Sequence, residues 1–443
     1  MNILYLHTHD TGKYIEPYGH AIPTPHLLAL AREGTIFRNA FSAAPTCSPS
    51  RAALLTGVSP HSCGMLGLAH RGFHLNDYSR HLVQVLNGSG RETVLCGIQH
   101  EAPQAELLGY QRILGQQGYV MRDLMQDPNF SPAQWDLANA ERVADYLRSA
   151  GDGPFFVSFG MFTTHRPYPP AGEAVNPNHV LLPPMLHDTP ENRNDMADFI
   201  QAARVLDQCV GKVLHALAES GRDRDTLVLF TTDHGIPFPE SKSALYDSGI
   251  GVSLILRYPG NPRAGQAVDA LVSQLDLFPT ICDLVGVERP AWLQGRSLLP
   301  LLRGESPAIR EEIFAEMTFH SAYEPMRCIR TERYKLILRF DDHGRTVPAN
   351  IDDCPSKSFL IEHGYLREHQ EPQLLFDLFL DPLERVNRIH DAAYGALYQD
   401  LRRRLKEWMR QTDDPLLAGR VPKPPGAKIN KVTSVSSLTD DFE

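Results

Sequence analysis

Paired cysteine spacing, a membrane-length apolar run and a basic block are all missing from this sequence. Its seven cysteines are odd in number and scattered, which excludes a disulfide framework. The longest apolar run, FFVSFGMF at 155–162, falls far short of the roughly 20 residues that a bilayer-crossing helix needs. No basic segment with an apolar stretch precedes the first strand-like run, NILYLHTHD at 2–10, and the chain is read on that ground as cytoplasmic. The formal charge is -10 and Lys and Arg are nowhere clustered, so nucleic acid and membrane are excluded as bulk partners. A small anionic substrate stays open, because one pocket can be positive on a negative protein. No internal repeat is present.

What is there is a long chain with ample apolar content. With 443 residues, 42% of them apolar, the length calls for a large domain plus a smaller one, each with a packed core. Strand-like runs alternate with helical patterns. ILYLH (3–7), FFVSFGMF, DTLVLFTTDHG (225–235) and GVSLILRYPG (251–260) read as strands. TPHLLALAREG (24–34), ERVADYLRSAG (141–151) and the segment 194–221 read as helices, the first with Thr24 as N-cap, Pro25 at its first position and Gly34 as its stop. This alternation predicts an α/β fold, a mostly parallel sheet with helices on both faces. Beyond residue 310, IFAEM, MRCIRTERYKLILRF and QLLFDLFLDPLE predict a smaller α+β domain with an antiparallel sheet, and 394–411 an amphipathic helix. The expected organisation is 1–310 catalytic, 311–417 C-terminal α+β, and 418–443 an extended, loosely packed tail rich in Pro, Gly and Ser.

Three strand ends carry polar clusters: LHTHDTG, FTTDHG and FGMFTTHRP. Turn punctuation accounts for any one of them. Three with metal-type side chains point to a site, and the carboxyl ends of parallel strands are where ligands gather. The stretch TCSPSRAALLTG (46–57) adds a thiol before a helix. Ser48 is the expected N-cap, Pro49 fits the first turn and Gly57 the stop. Free N–H groups at such an end favour an anion beside Cys47, and Arg51, one turn in, can point at the same spot. The alternative is a buried structural cysteine.

Cys47-Ser48-Pro49-Ser50-Arg51 with Leu54-Leu55-Thr56-Gly57 resembles the signature of the type I sulfatase family, in which the cysteine is oxidised to formylglycine. TPHLLALAREGTIFRNAF, TTDHGIPFP and LFDLFLDPLERVN are similar to further family segments, so the resemblance spans most of the chain. Within the family, CSPSRAALLTG with GMLGL, DHGIPFP and EPMR look most like the N-sulfoglucosamine sulfohydrolases, or sulfamidases. The resemblance implies an alkaline-phosphatase-like α/β fold with a small C-terminal domain. It also implies a partner, the formylglycine-generating or sulfatase-maturing enzyme, and a small sulfated sugar as substrate.

Carried over by residue, the resemblance assigns Asp10 and Asp233 as metal carboxylates. His9 stands where a first Asp is usual and His234 where Asn is common. With the oxygen derived from Cys47, these four would hold one divalent ion. Calcium is the family's usual ion; two imidazoles make manganese or zinc more fitting than usual. The other reading of His9 is that it turns away and only hydrogen-bonds. His7 reads as part of the strand or a supporting residue. His100 matches a proton acceptor for the hydrated aldehyde, His165 a residue beside the leaving group, and Lys242 a contact to sulfate beside the metal, with Arg51 helping to offset charge on the sulfuryl oxygens. Where the family has Lys two residues before that histidine, this chain has Ile98, so one sulfate-oxygen contact is either missing or supplied by Gln99 or Arg71. Arg71, His320 and Arg327, with His70 and Glu324, are substrate-loop candidates. Two other outcomes stay open: a phosphonate monoester or phosphodiester hydrolase of the same superfamily, and a non-catalytic metal-binding relative with unmodified Cys47.

Overall fold

The computed structural model describes residues 1–115, 127 and 129–443. Its strands are β1 Asn2–Thr8, β2 Thr35–Phe37, β3 Ala40–Phe41, β4 Glu92–Gly97, β5 Arg112–Leu114, β6 Phe155–Gly160, β7 Thr226–Thr232, β8 Leu254–Arg257, β9 Gln266–Val268, β10 Val272–Ser273, β11 Glu312–Phe319, β12 Tyr323–Thr331, β13 Tyr334–Arg339 and β14 Gln373–Asp377. The helices that matter for the site are α1 Pro25–Glu33, α2 Cys47–Thr56, α3 Pro132–Ser149, α4 Pro190–Glu219, α5 Leu277–Val285 and α6 Gly395–Gln411. The large sheet runs β5-β4-β6-β1-β7-β8-β2-β9. It is parallel except where β8 meets β7 and β2.

Alternation along the central strands puts helices on both faces. Leu4 and Leu6 of β1, Val157 and Phe159 of β6, and Val228 and Phe230 of β7 face Leu27 and Leu30 of α1, Val143 and Leu147 of α3, and Val210 and Val213 of α4. The intervening Ile3, Tyr5, Phe156, Leu227 and Leu229 pack on Leu54 and Leu55 of α2 and on Leu277, Phe278 and Ile281 of α5. The amino end of α1 is capped from a distance: Asp207 of α4 accepts from the His26 and Leu27 amides, while Thr24 Oγ1 accepts from the Glu16 amide instead of capping its own helix.

The C-terminal sheet, β11-β12-β13-β14, is antiparallel throughout. One face, with Ile313, Met317, Met326 and Phe376, packs on Phe41, Leu245 and Ile250 of the large domain. The other, with Ile329, Leu336 and Leu375, is covered by Leu401 and Leu405 of α6. The tail is extended, but it is not loosely packed. Val421, Ala427 and Ile429 join Met65, Phe73 and Phe319 in a core cluster, and the fully buried Asn430 donates its amide to the Ser321 carbonyl at 2.7 Å. Apolar residues spaced among its prolines hold it down.

The seven cysteines are all buried free thiols. Among the described residues no helix is long and apolar enough to cross a membrane.

Candidate active site

Four neighbouring parallel strands deliver the polar residues to one edge. In register, Gly97 of β4 lies beside Gly160 of β6, Gly160 beside His7 of β1, and Thr8 of β1 beside Thr232 of β7. The residues just past each strand therefore converge: His100 after β4, His165 after β6, His9 and Asp10 after β1, Asp233 and His234 after β7. Glycines let the two central turns meet. A Cβ on Gly235 would lie 1.9 Å from the Ser248 carbonyl oxygen, and one on Gly12, at φ +57, would lie 3.2 Å from Gly235 Cα. Asp10 itself takes the left-handed conformation, φ 53, a strained choice for a residue with a Cβ that turns its carboxylate into the cluster.

Cys47 is the first residue of α2, and Thr46, with extended dihedrals, occupies the N-cap position. This displaces the expected Ser48 cap by two residues. The Ser48 hydroxyl instead accepts the Ala69 amide at 3.0 Å. Gly57 ends the helix at φ 70, as its freedom there requires. Ser50 fastens α2 to β7 by donating to the Asp233 carbonyl. The sulfur sits 3.3 Å from His234 Nε2 and 4.0 Å from Asp10 Oδ1. Burial raises the Cys47 pKa well above the ordinary thiol value, with Asp10 and Asp233 adding to it against Lys242. The unmodified residue is thus a protonated thiol and a weak nucleophile.

Asp233 is held on every side. Its Oδ1 accepts the Asp10 and His234 amides at 2.8 and 2.9 Å, and Oδ2 faces Arg51 Nη2 at 3.0 Å and His9 Nδ1 at 3.2 Å. Asp10 meets His234 Nε2 at 3.1 Å and Lys242 Nζ at 2.8 Å. Burial alone would raise both carboxyls. Lys242, His165 and His234 outweigh it at Asp10, and His234, Arg51 and His9 at Asp233, so both lie well below the ordinary range. Arg51 donates Nη1 to His7 Nδ1 at 2.6 Å. Since a guanidinium only donates, His7 carries its proton on Nε2, which donates to Ser158 Oγ at 3.1 Å. That makes His7 a support for Arg51.

One ligand atom from each of His9, Asp10, Cys47 and Asp233 lies within 4.8 Å of the others, and all four residues are buried. His9 points into this cluster instead of turning away, and its Nε2 is buried with no hydrogen-bond partner among the described residues. Two ionised carboxylates faced by His9 Nδ1 and His234 Nε2 fit a divalent cation.

On the outer side, Lys242 Nζ bridges Asp10 to Asp352 Oδ2 at 2.9 Å and lies 3.5 Å from His165 Nε2. Burial opposes its charge, but Asp10 and Asp352 raise its pKa well above the ordinary value, so it stays protonated. His165 gives Nδ1–H to the Arg166 carbonyl at 2.6 Å and stacks on Phe162. Burial and then Lys242 lower its pKa, leaving Nε2 bare. His320 is buried beside Lys242 and Asp352, and its Nδ1 lacks a partner among the described residues. One ring nitrogen of His100 lies within 4.8 Å of ligand atoms of Cys47 and His9.

Asp352 carries no signal in the sequence. It stands in NIDDCPS, far from every motif, and a pair of acids before a helix is an ordinary loop feature. Arg327, expected in a substrate loop, lies instead within β12. It is fully buried, with Nε 2.6 Å and Nη2 3.0 Å from Asp414 and Nε 3.3 Å from Glu316, and Nη1 donates to the Met317 and Met326 carbonyls. It is a structural cation in the C-terminal sheet and not a substrate contact. Glu324 is likewise engaged, by Arg339 and Asn350. Gln99 braces its own loop by accepting the Glu101 and Ala102 amides, and Arg71 donates to Asn430 and to the Ser321 and Ser437 carbonyls.

Known proteins align with this arrangement over most of its length. The sulfatase family profile matches residues 1–287, and that of the N-sulphoglucosamine sulphohydrolase C-terminal region matches 238–347. Human N-sulphoglucosamine sulphohydrolase is 32% identical over an alignment covering 94% of this chain and 91% of its own. Two solved structures share the fold. One is a 2-O GAG sulfatase, with TM-score 0.72 and 22% identity, covering 98% of this chain and 97% of its own. The other is the phosphonate monoester hydrolase of Agrobacterium radiobacter, with TM-score 0.69 and 21% identity, covering 96% and 100%.

Proposed function

The chain belongs to the sulfatase family, and on that premise we propose that it hydrolyses sulfate esters or N-sulfate groups of a sulfated sugar such as glucosamine. The nucleophile is a formylglycine made from Cys47 by a maturing enzyme. The observation that carries this reading is the buried Cys47 sulfur, set at the amino end of α2 and ringed by His9, Asp10, Asp233 and His234. A protonated thiol there is a poor nucleophile, which supports its conversion. Hydration of the aldehyde supplies two hydroxyls on one carbon, one to attack sulfur and one whose lost proton drives sulfate off.

His9, Asp10, Asp233 and His234 would hold a divalent ion, whose positive charge offsets that of the sulfuryl oxygens. Lys242, kept charged by Asp10 and Asp352, faces those oxygens as well. Arg51 holds Asp233 and the His7 ring in place while adding positive charge behind the sulfur. His165, with Nδ1 tied to the Arg166 carbonyl, has Nε2 to exchange a proton with the leaving oxygen or nitrogen. His100 takes the proton that releases sulfate. Similarity to a sulfamidase and to a GAG sulfatase supports a sugar substrate.

A second reading is favoured by His234 and by the missing charge at Ile98: hydrolysis of phosphonate monoesters or phosphodiesters with the same nucleophile. Kinetics with an aryl sulfate, N-sulfoglucosamine and phenyl phosphonate, side by side, decide between them. Faster turnover of a sulfate is expected, and a clear preference for the phosphonate overturns the first choice. The mass of the peptide containing residue 47, purified from the native host, tests the nucleophile: conversion lowers it, and an unchanged thiol leaves a metal-binding relative without this chemistry.

A further inference from the structure

We propose that His70 is a positioning residue that fixes the tautomer of His100, so that His100 Nδ1 is bare and takes the proton whose removal expels sulfate. His70 Nδ1 lies 2.8 Å from His100 Nε2. The two ring planes differ by only 15° with centroids 5.1 Å apart, the geometry of an in-plane N–H···N bond between side-by-side imidazoles. Such a bond has two senses. If His100 donates through Nε2, its Nδ1 is a lone pair; if it accepts, its Nδ1 carries the proton. That atom is buried with no partner among the described residues. An orphaned N–H there would lose a donor's hydration for nothing, whereas a lone pair is what a base requires. His100 therefore donates, and His70, accepting at Nδ1, bears its own proton on Nε2.

The His70 turn is tied to the nucleophile. The Ala69 amide donates to Ser48 Oγ at 3.0 Å, and Ser48 directly follows Cys47. From the other side, Arg71 binds Asn430 and its carbonyl accepts the Lys428 amide at 2.9 Å, so the C-terminal tail presses the same turn inward. Across the pair, Glu101 Oε2 accepts the His100 amide at 3.1 Å and Gln99 Oε1 accepts the next two amides. These bonds fix the backbone of both loops, so the Cα atoms that carry the two rings stay at this separation.

The inference rests on the formylglycine reading above. In the step it serves, the proton of the second hydroxyl passes to His100 Nδ1 and the pair of that O–H bond closes the carbonyl. The C–O bond to sulfate breaks, and sulfate leaves with its electrons.

Two measurements test it. Imidazole 15N spectra of the protein with Cys47 unconverted should show His100 as the Nε2–H tautomer in wild type and in His70→Gln, whose amide oxygen can also accept, and a changed tautomer population in His70→Leu. In the converted enzyme, H70L should release its first equivalent of leaving group at nearly the wild-type rate and then turn over ~100-fold more slowly, with sulfate accumulating on the peptide that contains residue 47. H70Q should restore turnover to within about threefold, no more than a modest residual defect. An Nδ1–H tautomer in wild type overturns the proposal, as does an unchanged His100 signal in H70L or equal slowing of both half-reactions. If wild type shows no conversion or turnover, the mechanism fails, while the spectra still decide what His70 does to His100.

Discussion

Two of the buried charge clusters among the described residues differ in what they leave unused. At the strand ends, Asp10, Asp233, His9, His234, Lys242 and Arg51 enclose atoms with spare capacity: His9 Nε2, His100 Nδ1 and His320 Nδ1 are buried and unpartnered among the described residues. In the C-terminal sheet, Arg327, Glu316, Asp414 and His61 form an equally buried group. There Arg327 is saturated by two carboxylates and three other acceptors, and only His61 Nε2 is open. Burial of charge is common to both. What marks a site is ligand atoms converging on one space with no protein partner of their own.

Substitutions in the two clusters should therefore fail in different ways. Asp10→Asn is expected to cut turnover roughly 10³-fold and to abolish retention of a divalent ion on elemental analysis, while the far-UV spectrum stays native. Arg327→Met should do the reverse. Stranding Glu316 and Asp414 costs about 3–5 kcal/mol, read as a lower urea midpoint, with kcat per folded molecule within about twofold of wild type, as expected for a residue that touches no reacting atom. A catalytic loss in R327M without a stability loss would erase the distinction.

That distinction was only half legible in the sequence. The fold was, because alternation within ILYLH and TLVLFTT places successive residues on opposite sheet faces whatever follows. The strand-end clusters were legible too, since parallel neighbours in register must bring DTG and DHG together. Arg327 in EPMR read like a substrate loop because a charged residue beside a motif gives no hint of its burial; only the pairing of β11 with β12 turns it inward. Asp352 was invisible for the opposite reason, being brought to Lys242 from 110 residues away by packing that no local pattern encodes. Ser48 read as the cap because the residue before a proline is the usual place, yet the helix begins one residue earlier than Ser48 and its hydroxyl serves the turn of His70. The tail's prolines outvoted its buried Val421, Ala427 and Ile429.

Softness of the nitrogen donors sharpens the comparison further. His9 and His234 stand where oxygen donors would suit calcium. Replacing both, His9→Asp with His234→Asn, should move selectivity toward calcium and away from zinc by roughly tenfold to a hundredfold, measured by competitive binding followed calorimetrically. An unchanged ratio would mean that the imidazoles are not ligands and that the carboxylates alone set the preference. The matching change in the other cluster, His61→Asn, should bind no ion in either form, because Arg327 already supplies its cation.

The smallest effect comes from a buried histidine that belongs to neither cluster. His81 is fully buried at the amino end of the helix Leu82–Gly88, where its Nδ1 accepts the Val83 amide at 3.3 Å. Burial lowers its pKa from 6.5 to about 3. The unfolded chain therefore binds a proton between those values that the folded chain refuses. The stabilising contribution is complete above pH 6.5 and drains away as the pH falls toward 3, at up to about 1.4 kcal/mol per unit. His81→Asn keeps an acceptor at the helix end and removes the titration. Urea midpoints at pH 7, 6 and 5 should thus fall more steeply for wild type than for H81N, with the gap opening only below pH 6.5. Because no carboxylate or cation is among the causes of this shift, its slope is that of burial alone, against which the acid sensitivity of the two charged clusters can be read. Parallel lines for the two proteins would mean that His81 is protonated in place.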